Sequence, residues 1–195
     1  VVAALRQDAL VSPHPPLPPA ARAIARCVTE VVDSARSPDL DPDRFATAIA
    51  RLAALDPEQV RRVLSAVLRP LLEDLHPGGL TGDDLRSVIE GCVRRATGRG
   101  SGQASGQASG QASGQASGLA SGLASADPQL LVVVLAGAFG VHPDDDDRPD
   151  GISADVLRNA CLLLADLLAV SGARLDRYLP SAFAEIARAE TQDDA

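Results

Sequence analysis

The 195-residue chain has no Lys, no Met and no Trp, and its four aromatic side chains are Phe45, Phe139, Tyr178 and Phe183. With aromatics at 2% against 46% hydrophobic residues overall, any core must be aliphatic, built from Leu, Val, Ile and Ala. That composition favours helices packed through Leu and Ala ridges. All 18 basic residues are Arg, which fits a GC-rich bacterial coding bias better than a need for guanidinium chemistry. The absence of Met, including a first one, points to a trimmed product or a domain cut from something longer.

Other absences narrow the function. The three cysteines, Cys27, Cys92 and Cys161, cannot pair evenly and show no CxxC spacing. Each falls in an apolar helical stripe, where a free Cys behaves as a small hydrophobe, and this favours a reducing compartment. No stretch reaches the roughly 20 apolar residues that cross a bilayer. The nearest is 130–139 (LLVVVLAGAF), and the N-terminus lacks the basic flank and compact apolar run of a signal peptide. The cytoplasm is therefore the expected compartment, with no membrane partner. No nucleophile, base and oxyanion donor occur at catalytic spacing, so no catalytic residue is assigned. The Gly-rich tract lacks GxxxxGK[ST] and is no phosphate loop, and no cofactor is expected.

Formal net charge is -8, unevenly placed. Residues 1–96 carry 12 Arg against 13 acids, whereas 127–195 carry 5 Arg against 13 acids. An acidic second half repels phosphate backbones, which argues against a nucleic-acid partner.

What is present is a near-repeat. Asp56-Pro57 and then Gly79-Leu-Thr-Gly-Asp-Asp-Leu-Arg86 precede apolar segments. Asp127-Pro128 and then Gly151-Ile-Ser-Ala-Asp-Val-Leu-Arg158 do the same after a low-complexity tract. Two copies of a helical unit follow from that order. The expected fold class is all-α: a composite bundle of six to eight helices from two related halves joined by a disordered linker.

Four segments are expected. Residues 1–17 form a Pro-rich flexible arm, 18–96 the first helical half, 97–126 the linker of SGQA and SGLA tetrads, and 127–195 the second half. Such a tract buries too little apolar surface to offset its ordering entropy. The drift from SGQA to SGLA fits an expanding natural repeat better than an engineered tether.

Within the halves, Asp41-Pro42, Asp56-Pro57 and Asp127-Pro128 each read as a helix start. Asp caps the first free amides, and Pro at the first helical position already has the right φ. Thr81 and Ser153 read as further caps. After Pro57 the stripe Val60, Val63, Leu64, Val67, Leu68, Leu71, Leu72, Leu75 is the clearest helix, with Pro70 off the stripe and expected to bend it. Leu157, Ala160, Cys161, Leu164, Leu167 and Leu168 should face inward on a later helix, and Phe183, Ile186 and Ala187 on the last. Residues 130–139 have no polar face, so that helix is expected to be covered on every side. The two halves would then have to pack together to cover it.

Candidate sites are few. The loop 144–150 places Asp144 to Asp147 and Asp150 before Gly151, a supply of oxygen ligands of the kind a hard cation takes. If Gly151 takes the sixth position of a calcium loop, however, Arg148 stands at the third and Leu157 where a bidentate Glu belongs. No metal ligand is therefore assigned, and a divalent-cation sensor is the alternative reading. His14, His76 and His142 all precede Pro and punctuate helix ends, with no zinc spacing. Arg61, Arg62, Arg69, Arg94 and Arg95 could face an acidic partner, but Glu58, Glu73 and Asp74 are interspersed. The reading that remains is a non-enzymatic interaction or adaptor module, with a protein partner or self-association expected.

Overall fold

Each of the three Asp-Pro pairs starts a helix, and in each the carboxylate accepts backbone N–H groups of the first turn. Asp41 takes those of Asp43 and Arg44 at 3.0 and 3.2 Å, Asp56 that of Gln59 at 2.8 Å, and Asp127 that of Gln129 at 2.8 Å. These bonds satisfy donors that no intrahelical carbonyl can reach. The computed structural model describes residues 17–37, 40–101, 126–141 and 152–193. Among them are seven α-helices and no strand. They are α1 Pro19–Arg36, α2 Pro42–Ala53, α3 Pro57–Leu75, α4 Gly82–Ser101, α5 Pro128–Ala138, α6 Ala154–Ser171 and α7 Leu179–Asp193. A 3-10 turn, Leu175–Arg177, precedes α7. The protein is all-α, as the periodicity indicates.

The two capping hydroxyls also fall where expected. The Thr81 hydroxyl accepts the Asp84 N–H at 3.2 Å, and the Asp84 carboxylate accepts the Thr81 N–H at 2.9 Å, a reciprocal capping box. The hydrogen bonds from Thr81 hold the Asp84 carboxyl below its ordinary pKa. Ser153 accepts the Val156 N–H at 3.2 Å and opens α6. Pro70 lies inside α3, which continues through it to Leu75.

The most enclosed helix is α6, exposed only at its two ends. It touches α1, α2, α3, α4 and α5. From Ala160 to Leu168 every residue is buried, including Asp166 at 2% exposure. One continuous cluster of buried side chains around it includes residues from all seven helices. This corrects the expectation for 130–139. Helix α5 rests on α6 through Leu131, Val134, Leu135 and Ala138, but Val132 and Val133 on its other side are 55% and 48% exposed. Hydropathy alone ranks α5 as the helix most in need of cover. Asp166 and Asn159 lower the apolarity of α6 and disguise it as an ordinary amphipathic helix.

Two boundaries also move. Helix α4 runs to Ser101, so the first residues of the tract expected to be a linker from Thr97 continue a helix. Extension costs little once a helix is nucleated, and the Thr97 hydroxyl donates to the Val93 carbonyl at 2.9 Å. At the other end of the tract, Ala126 is buried. Leu17, assigned to the Pro-rich arm, packs partly buried against the core, and the rest of that arm lies outside the described residues. On α7, Phe183 is buried and Ile186 half-buried as expected, but Ala187 is exposed, and Ala182 is buried beside Phe183.

Asn159 ties α5 to the central helix. Its amide oxygen accepts the Asp127 N–H at 2.7 Å and its amide nitrogen donates to the Asp155 carbonyl at 2.8 Å. Asn159→Ala strands a backbone donor at the start of α5 and leaves a void. A loss of about 2 kcal/mol is expected in urea unfolding, with amide exchange in α5 quickened more than in α1. On the far side, the Tyr178 hydroxyl donates to the Asp74 carboxylate at 2.9 Å and joins the start of α7 to α3. Burial, then that bond, raises the phenol's pKa.

Candidate functional site

Helix α5 buries one side and leaves the opposite side bare. At 100° per residue, Leu131, Val134, Leu135 and Ala138 fall on the inward arc, and Gln129, Val132, Val133 and Ala136 on the outward arc. From Pro128 to Val141 there is no charged side chain. Phe139, 38% exposed, and Val141, 63% exposed, extend the apolar surface past the end of the helix. Isolated exposed hydrophobes are ordinary, but a contiguous group is not.

The end of α5 is fixed rather than frayed. Gly140 has φ of +74°, a left-handed conformation that glycine adopts without strain. The Val141 N–H reaches back to the Ala136 carbonyl at 2.9 Å, and the Gly140 N–H to Gly137 at 3.1 Å. These two bonds make a Schellman motif, in which the residue after the glycine normally rests on an apolar neighbour one turn back. Here that neighbour is Ala136, too small to cover a valine, so Val141 stands in solvent. Beside it, an open groove of about 340 Å3 runs between α3, the end of α5 and α7, with Ala66, Phe139 and Ile186 among its lining.

The second feature is an ion pair at the central helix. Arg95 near the end of α4 forks onto Asp166, with Nε toward Oδ1 and Nη2 2.6 Å from Oδ2. Asp166 is buried, while the Arg95 side chain remains 45% exposed. Hydrogen bonding to Asp166 raises the Arg95 pKa above its ordinary value. Because the shift is upward, its stabilising effect is complete below the ordinary guanidinium pKa and is lost only at still higher pH. Arg95 therefore stays charged throughout the neutral range. Gly91 makes room for it: a Cβ there would lie 2.7 Å from Arg95 Nη2.

The other arginines singled out from sequence do not gather into one basic surface. Arg61 and Arg62 pair with Glu58, Arg62 lies 3.7 Å from Glu190, and Arg69 pairs with Glu73 at 3.1 Å. Arg94 is exposed. His76 lies 3.7 Å from Asp84, while His14, His142 and the acidic positions 144–150 lie outside the described residues. All three cysteines are buried, and burial pushes the Cys161 thiol up to about 12, far from the range of a reactive thiolate. Among the described residues, no group of three or more His, Cys, Asp or Glu side chains could hold a metal. No single described helix is long and apolar enough to cross a membrane.

The Arg95–Asp166 pair was not anticipated, though a signal was present. Asp166 is the only charged residue between Cys161 and Val170, and an acid inside so apolar a run is buried only with a cation supplied from elsewhere. Comparison of the chain with protein-family models, curated proteins and solved structures finds no match.

Proposed function

We propose that this protein is a non-enzymatic helical interaction module of the bacterial cytoplasm, with the outward face of α5 as its partner-binding surface. The observation that carries the reading is the uncharged, exposed run of Val132, Val133, Phe139 and Val141, four of the five large hydrophobic side chains exposed among the described residues, the fifth being Val170 at the end of α6. A protein is the fitting partner. The face offers no cation to a phosphate backbone, and the chain's net charge of -8 opposes one.

In this reading the face is carried by a single bundle made of two related halves. Support comes from matching caps in matching order: Asp56 and Asp127 start α3 and α5, and Thr81 and Ser153 start α4 and α6. The copies have diverged in use. Helix α3 has 19 residues against 11 in α5, and α4 lies half-buried where α6 is enclosed.

The test is a photo-crosslinking amino acid in place of Val133, activated in cells. A protein adduct is expected at 133 and not at Arg86, which is also exposed, on α4. Equal labelling at both positions, or none at either, would count against α5 as the interaction face.

A further inference from the structure

We infer that α4 is a hinged strap that opens from α5 and α6 as a unit, with the Arg95–Asp166 pair as its latch. Packing is the first reason. Among the described residues, every other helix buries at least two large apolar side chains. On α4 the buried apolar side chains are Cys92 and Ala96, both small, while Leu85, Val88, Ile89 and Val93 are half-buried. The free energy holding a segment closed grows with the apolar area it buries, so α4 stands at the low end of the bundle.

Attachment is the second reason. Helix α4 packs chiefly on α5 and α6 and has no comparable contact with α3, the helix it follows. Between α3 and α4, Gly79 has φ of +98°, and a Cβ at Gly78, Gly79 or Gly82 would meet no neighbour within 4 Å. That turn stands clear of the core and can change its backbone angles without repacking it. At the other end, the 24 residues 102–125 separate Ser101 from Ala126, so no short connection ties α4 to α5.

The latch follows from the same geometry. With α4 closed, the Asp166 carboxylate is buried and depends on Arg95. With α4 open, both groups are hydrated and neither is stranded. Loss of Arg95 therefore penalises the closed position and favours the open one. Opening uncovers apolar surface of α5 and α6, with the Asp166 carboxylate in its floor.

The native cysteines test this on the full chain. Cys92 rides on α4, whereas Cys161 lies about 140° round α6 from Asp166, on a different side of that helix. Alkylation with iodoacetamide, read by mass spectrometry, gives a rate for each thiol. Cys92 is expected to react at least about tenfold faster than Cys161. Below the unfolding midpoint the Cys92 rate should rise little with urea, because opening α4 exposes little surface, while the Cys161 rate climbs steeply. Arg95→Ala is expected to quicken Cys92 by about tenfold or more, and adding Asp166→Asn to reverse most of that gain. One shared rate and urea dependence for both thiols would overturn the strap, because Cys92 would then be reached only through global unfolding. A Cys92 rate unmoved by Arg95→Ala would overturn the latch.

Discussion

Arg95→Ala is expected to destabilise the fold by about 2 kcal/mol, and adding Asp166→Asn to recover most of that loss. The asymmetry follows from burial. Removing Arg95 leaves a carboxylate at 2% exposure without its cation, whereas removing the Asp166 charge leaves a guanidinium already 45% exposed to solvent. A fully buried pair would lose more, about 3–5 kcal/mol, but water reaches the Arg95 side and softens the penalty. Urea midpoints of the two single variants and the double variant measure this directly. Simple additivity of the two losses would mean that the residues act independently. Gly91→Ala should behave as a mild form of Arg95→Ala. The roughly 1 kcal/mol normally gained by replacing a mid-helix glycine is offset as the new methyl group displaces the guanidinium.

Leu163→Ala should cost about 3 kcal/mol, and Val133→Ala no more than about 0.5 kcal/mol. The contrast separates the two most apolar helices. Leu163 on α6 is fully enclosed, so its loss forfeits transfer energy and leaves a void, while Val133 on α5 is half in water. Thermal unfolding should show the difference as a drop of roughly 10 °C for the first substitution and almost none for the second. Comparable losses at both positions would mean that the face of α5 is covered.

The helices themselves were legible because their signals are local. Asp-Pro caps, a Thr or Ser before each run, and Leu/Val spacing all act within a few residues, and the structure places helix starts at those positions. What was not legible depends on contacts far apart in sequence. The enclosed state of α6 needs five neighbouring helices, and the burial of Asp166 needs Arg95, 71 residues away. Residues 130–139 misled for the same reason: an all-apolar helix is equally consistent with a core position and with a surface kept for a partner. Helix α4 shows the reverse case, since its extension into Thr97–Ser101 follows from helix propagation that a composition shift masks.

The most direct test is urea unfolding of two variants with truncated leucines on either side of residues 102–125: Leu68→Ala on α3 and Leu163→Ala on α6. Both side chains belong to the same buried cluster. If the two parts form one bundle, the wild type unfolds in a single transition, and each substitution moves that whole transition to lower urea. Two separate transitions, with Leu68→Ala shifting one and Leu163→Ala only the other, would contradict it.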